Sequence, residues 1–579
     1  MGSKVSREEE RGKRKEKRSA FRAIVVCIYL FLFIIHYSLF TANAQEFTNN
    51  PEFVRIAISN NGFKSLVYKQ ISIIATAPFT VYDKSSKKPI LNGLASDIVK
   101  VTFDAEGFDL SVNNKNAAKN LKGTLVFDCP TGLLSVENLT RNGKQAFYHG
   151  VFELTPKDCS SFYLINVLDI QNYLKGVVPN EMPVRFGLEA LKAQAVAARN
   201  YVLMPRTRTA QFDVDDSVAS QVYYGAATES ALSNQAVNET QGLVALFDWD
   251  IIQAQYCSTA GGYTEDYENA FSDPKTKDFP SKPKPYLKGT PDILSVAPLN
   301  REEEAKIFYM SFPDSYDMKS PYYRWQREFT PKELQATLQK TLIVQSKTGF
   351  VRPEFKAGDT LGEIKELKVN KRGVSGKVME LEIFTDKGSY KVYKELVIRR
   401  ILQKDGVSLP SANVVFEHLY DTNQKLTKIV AYGGGYGHGV GMSQFGAGFM
   451  STSLHKSFDK ILKRYYSGIT ISTMPIILSD VEGQKEVTQQ FFAPYQKANV
   501  VIDNKYQIKE FNANINGREV SFEMATSLVP FNRMCKIDIS SYIRRGANKI
   551  TFYFPEGQKN KGIRLYIELV EKDEGQCSF

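Results

Sequence analysis

The chain has 579 residues and a formal net charge of +11, with 43% hydrophobic and 24% charged residues. Its length suggests about three domains, and its composition is globular, with no long low-complexity tract. Nine Lys/Arg and four Glu stand in the first 22 residues, so the rest of the chain is only mildly basic and lacks the charge signature of a nucleic-acid binder.

The run Ala23–Phe40 carries no Lys, Arg, Asp or Glu, and "TANAQ" follows with Ala42 and Ala44 where a signal peptidase cuts. A basic start, an apolar core and small residues predict a signal peptide over 1–44, or an uncleaved signal anchor given the long basic segment. Export across the cytoplasmic membrane follows, to the periplasm, the cell envelope or the medium. No later stretch is long and apolar enough to cross a membrane. Of the six cysteines, Cys27 lies in this leader. Five remain, an odd number that implies bridges and one leftover thiol. Chain order suggests Cys129–Cys159 and Cys535–Cys577, with Cys257 free.

Residues 45–160 form an N-terminal β-rich part, with strands at "EFVRIAIS", "ISIIATA", "FTVYD", "GTLVFDC" and "AFYHGVFELT", each bounded by turn residues. "FYLINVLD" is one more strand at the start of a core spanning 161–475. The period then changes. Leu188, Leu191, Ala195, Ala198 and Val202 recur at helical spacing. Pro183 suits a first turn, and Asn180 or Glu181 is the expected N-cap. Strands return at "GLVALFDW" and "IIQAQYCSTAGGYTED". An insertion around 272–360 holds a Pro- and Lys-rich loop and then "TPKELQATLQKTL", a helix opened by a capping box. Strands resume from Ile364 to about Ile401, and "KIVAYGGGYGHGVGMSQFGAGFMSTSLHKSFDKILKRYY" reads as strand, glycine loop and helix. Residues 476–579 read as an all-β sandwich or jelly-roll-like module. The expected fold is α+β: mixed and β-rich, with a few helices. An aromatic content of 12% suits β-rich domains and sugar-binding surfaces.

Three spots carry candidate chemistry. Glu181 in "GVVPNEMP" reads as a helix cap, whose carboxylate the helix dipole favours, unless desolvation raises its pKa enough for acid catalysis. "GGGYGHGVG" has a G-x-G-x-x-G-like spacing, but no acid-ended second strand follows about 20 residues on, which speaks against a dinucleotide site. Its glycines imply close backbone approach or positive φ. Among them stands His438, either a satisfied core histidine or a functional one. Cys257 could pair with His438 as a thiol hydrolase, or be a small buried hydrophobe. Metal-binding spacings such as CxxC and HExxH are absent from the sequence.

Read together, "YLKGVVPNEMP…LEALKAQAVAARNY" (Tyr173 to Tyr201), "YCSTAGGYTED" (Tyr256 to Asp266) and "GGGYGHGVGMSQFGA" (Gly433 to Ala447) resemble, in order, the motifs of the stage II sporulation protein D (SpoIID/LytB) family. Weaker similar blocks are Ser220–Gly225, Ser320–Thr330 and Leu396–Phe416. The resemblance runs from about Phe53 to Met474 and leaves out the C-terminal hundred residues. It implies a secreted cell-wall factor of sporulation type: a peptidoglycan lytic transglycosylase that cleaves MurNAc–GlcNAc bonds of peptide-free strands and forms 1,6-anhydroMurNAc. The alternative it implies is a non-enzymatic, glycan-binding enhancer of a cell-wall amidase. Carried over by motif, Glu181 is the general acid/base, while Tyr436, His438, Ser443, Gln444, Gly261, Gly262 and Thr264 contact the sugar. The implied partners are glycan strands and an amidase. Some members of the family bind zinc through His and Cys just before the "QVY" block. Ser217 and Ser220 stand there instead, so no cofactor is expected. The C-terminal module is similar to the sugar-binding jelly rolls appended to glycosidases, or is a plain packing domain.

Overall fold

A computed structural model describes residues 53–204, 211–293, 296–481, 483–506, 508–524, 534–557 and 562–570. The expected signal segment lies outside these residues, as does Cys577. The described residues form two compact units, one up to Ile170 and again at 211–217, the other from Gln171 onward, apart from 211–217. Strands dominate and helices are scattered among them, a β-rich α+β fold as expected.

In the first unit the alternating pattern of "FVRIA" becomes a strand, Phe53–Ala57, that buries Val54 and Ile56. It pairs antiparallel with Phe162–Asp169 and parallel with Val214–Asp215 in an eight-stranded sheet. A second, five-stranded sheet includes Val99–Asp104 and Gly107–Val112. Phe103 and Phe108 meet Phe162 edge-on at 6.0 and 5.3 Å, which joins the two sheets. Arg141 and Asp216, 1% and 0% exposed, form a buried ion pair at 2.6 Å. Ser59 completes it by donating to Asp216 from its amide and hydroxyl. Cys129 is buried, Cys159 is exposed and no bridge joins them, which corrects that pairing: they occupy different environments, one packed and one at a surface turn.

The second unit is built around the predicted helix, which spans Leu188–Leu203 and is buried on nearly every side. Its alanines let neighbours approach closely. Asn200 at its far end donates to the carbonyls of Ala245 and Ile252 and accepts from Ala245 N–H, so the helix is tied to the strand Leu243–Phe247. Farther along, the capping box at Thr330 and Glu333 opens the helix Pro331–Ser346 as expected. This helix packs Leu334, Leu338 and Leu342 on a core with Ile364, Leu381 and Ile429. Glu395–Ile401, expected as strand, is a helix that buries Val397, Ile398 and Ile401 at its own spacing. The C-terminal strands join the core rather than stand apart from it. Thr470–Thr473 pairs on one side with Leu243–Phe247 and on the other with Ile563–Leu569, which then pairs with Ala498–Asp503. Four further strands there, Glu486–Ala493, Gly546–Tyr553, Glu510–Ile515 and Arg518–Glu523, form a separate four-stranded sheet.

Candidate active site

Glu181 ends a helix rather than starting one. The segment expected to close a strand is helical over Ile170–Glu181. Tyr173, Leu174, Val177 and Val178 line its buried side, an i, i+4 stripe that outweighs the strand preference of the two valines. Pro179 sits near the end, where the lost N–H removes a single helical bond. Asn180, expected as a cap, turns its amide back to donate to the Gly176 carbonyl and to Thr228 Oγ1 at 2.7 and 2.8 Å. A single 3-10 turn follows at Val184–Phe186, and the next α-helix starts only at Leu188, after Gly187. Electrostatically, the cap reading is therefore reversed: the dipole at a helix C-terminus opposes a carboxylate.

The residue as a whole is half-buried, but its carboxyl is enclosed. Val222 N–H donates to Oε1 at 2.7 Å, and the Tyr256 hydroxyl is a second partner. Burial pushes the carboxyl up to about 7, and the bonds from Val222 and Tyr256 pull it partly back. Tyr256 is itself held. Gln221, fully buried, donates from Nε2 to the Tyr256 oxygen at 3.1 Å and accepts at Oε1 from the Tyr173 hydroxyl at 3.0 Å. Burial keeps the Tyr256 phenol protonated, its pKa far above the usual tyrosine value, so it donates to Glu181. Gly176 lets the segment after Val222 pack close on this helix: a Cβ there would stand 2.7 Å from the Tyr223 ring.

The glycine loop lies beside the short strand Tyr256–Cys257. Tyr256 and Cys257 pair in parallel with Met442 and Ser443, Thr259 bridges Tyr436, and Glu265 bridges Val440. Of the expected sugar contacts, Tyr436 and His438 keep exposed surface. The others turn inward. Ser443, fully buried, caps the helix Gln444–Thr452 by accepting from Gly446 N–H. Gln444 donates to Gln194 at 3.2 Å. Thr264 exchanges bonds with Thr290. The amides of Gly261 and Gly262 donate to the buried Asp317 carboxylate at 2.7 and 3.4 Å. These residues shape the loops beneath the site, and their polar groups are already engaged. His438 accepts from Val440 N–H at Nδ1 and packs on Phe271. Burial lowers its pKa to about 4, so it is neutral at pH 7, and the bond assigns its proton to Nε2.

Cys257 is buried and its thiol is pushed up to about 12 by that burial. A neutral imidazole and a thiol so hard to ionise make no thiolate–imidazolium pair, which counts against the cysteine-hydrolase reading. Among the described residues, no group of three or more His, Cys, Asp or Glu could hold a metal ion. Ser217 spends its hydroxyl on Asp215.

Residues 159–247 match the family model "Stage II sporulation protein" (SpoIID), and residues 274–441 match a domain of unknown function, DUF8618. The chain is 30% identical over 335 residues to stage II sporulation protein D of Bacillus subtilis (strain 168), covering 55% of this chain and 78% of that protein. It is 31% identical over 315 residues to the amidase enhancer of the same organism and spans 40% of that protein's length. An uncharacterized protein of Brachyspira hyodysenteriae (strain ATCC 49526 / WA1) is 25% identical over 425 residues, 73% of this chain and 93% of its own. Glu181 and Val222 both fall inside the first matched region.

Proposed function

The chain belongs to the stage II sporulation protein D family, and from that membership and the setting of Glu181 we propose that it is an exported cell-wall enzyme, a peptidoglycan lytic transglycosylase acting on peptide-free glycan strands. The observation that carries this reading is the enclosed Glu181 carboxyl, which accepts from Val222 N–H at 2.7 Å and from the Tyr256 hydroxyl and is pushed up to about 7 by burial. A hydrolase with paired carboxylates needs two acids flanking the bond. A transglycosylase needs one that gives a proton and takes one back.

Near neutral pH Glu181 is protonated in a substantial fraction of molecules. It donates that proton to the glycosidic oxygen as the MurNAc C1–O bond breaks, and the GlcNAc leaves as an alcohol. The carboxylate now formed accepts the proton of the MurNAc C6 hydroxyl as O6 bonds to C1. The 1,6-anhydro ring closes, Glu181 is protonated again, and no water is consumed. Val222 N–H and Tyr256 O–H stabilise the carboxylate between the two steps and fix its direction. General acid–base help of this kind is worth about 10²–10⁴-fold.

The test compares wild type with Glu181→Gln on peptide-free strands, reading anhydroMurNAc ends by mass spectrometry. Anhydro ends from wild type alone support the reading. Reducing ends without the anhydro ring would indicate a hydrolase. The likeness to an amidase enhancer favours one second reading, a glycan-binding partner of a cell-wall amidase without turnover of its own. That reading requires both proteins to bind strands, neither to cut them, and both to stimulate an added amidase.

A further inference from the structure

Two large aromatic side chains touch each other at the surface. Tyr322 and Tyr436 are 37% and 43% exposed, and their ring centroids are 4.4 Å apart with planes tilted by 42°. Their backbones are fixed. Tyr436 exchanges main-chain bonds with Thr259 at 2.9 and 3.3 Å. Gly435 donates to the Tyr322 carbonyl at 2.8 Å and accepts from the buried Trp325 indole at 3.1 Å. Its φ of 90° and its place against the Thr259 and Ala260 carbonyls leave no room for a side chain. The Thr259 hydroxyl meets that of Ser320, at the start of the turn that carries Tyr322, at 2.6 Å. A rigid frame thus presents two ring faces to water, where burying them would be favourable.

We propose that Tyr322 and Tyr436 form a stacking subsite for a pyranose ring of the glycan strand, separate from the two sugars that flank the bond at Glu181. The inference rests on the transglycosylase reading and deepens it. Tyr436 is bridged to Thr259, three residues beyond Tyr256, whose hydroxyl holds Glu181. Sugar rings expose flat patches of C–H that pack on aromatic faces, and the rings themselves, rather than the tyrosine hydroxyls, supply that contact. A ring bound there, outside the pair at the scissile bond, would make the protein select for strand length.

The test is calorimetric titration in the Glu181→Gln background, which prevents turnover, with a peptide-free disaccharide and an octasaccharide. Tyr322→Ala and Tyr436→Ala are each expected to weaken octasaccharide binding about ten-fold and to leave disaccharide binding unchanged. Tyr322→Phe is expected to restore most of the affinity. Equal octasaccharide affinity in the alanine variants overturns the subsite while leaving the transglycosylase reading intact. So does an equal loss for both lengths, which would mean that the Glu181 site itself was disturbed. Failure of the Glu181→Gln parent to bind either glycan overturns both. Unchanged glycan affinity with lost binding to a cell-wall amidase would make the pair a protein-docking patch instead.

Discussion

At the scale of single residues, Glu181 works against the stability of its own fold. Its carboxyl titrates near 7 when folded, against about 4.3 in an unfolded chain. The folded state therefore holds its proton more tightly. Stability is unaffected below the unfolded value, falls as pH rises from about 4.5 to 7, and stays reduced above that. Glu181→Gln is expected to be more stable than wild type at pH 8, by up to about 3 kcal/mol, and no more stable at pH 4. Denaturant melts at the two pH values check this. The same substitution should lower activity by about 10²–10⁴-fold. Wild-type kcat/KM should decline as pH rises through about 7, where the free acid is lost. Tyr256→Phe removes a bond that lowers the Glu181 pKa, so that alkaline limb should move to higher pH, read from the pH profile.

At the scale of elements, legibility followed how local each signal was. The helix Leu188–Leu203, the Thr330/Glu333 box and the strands of the first unit are written in neighbouring residues, and they were readable. The helix Ile170–Glu181 was not, because Val177, Val178, Gly176 and Pro179 all argue locally against helix. Its buried stripe becomes decisive only when packed against Tyr223 and its neighbours. The partners of Glu181 had no local mark at all: Val222 lies 41 residues away, and Tyr256 lies farther still. Motif likeness pointed to Glu181, but the order Tyr173, Gln221, Tyr256 that orients its carboxyl exists only in three dimensions. The turn into the Leu188–Leu203 helix gives a further prediction. Gly187 has φ 87° and a Cβ there would stand 2.8 Å from Ser451 Oγ. Gly187→Ala should cost about 1–3 kcal/mol, measured by thermal melting.

At the scale of the whole molecule, two features set what can be removed. In the first unit the Arg141–Asp216 pair is fully desolvated, so Asp216→Ala leaves a buried guanidinium without its counter-charge. We expect a loss of about 3–5 kcal/mol, seen as a lowered midpoint in urea. In the second unit, the strands after Met474 share a sheet with the core through Thr470–Thr473 and Ile563–Leu569. A chain ending at Met474 should therefore expose a sheet edge and aggregate, which size-exclusion chromatography would show.

That shared sheet also sets a clock on biosynthesis. Leu243–Phe247 is laid down early, but Thr470–Thr473 and then Ile563–Leu569 must arrive before the sheet is complete. At about 5–20 residues per second, the first strand waits for roughly 15–60 s beside an unfilled edge. A chain made this way does best if it is kept extended until its last strands have emerged, which is the condition of a polypeptide threaded through a membrane before it folds.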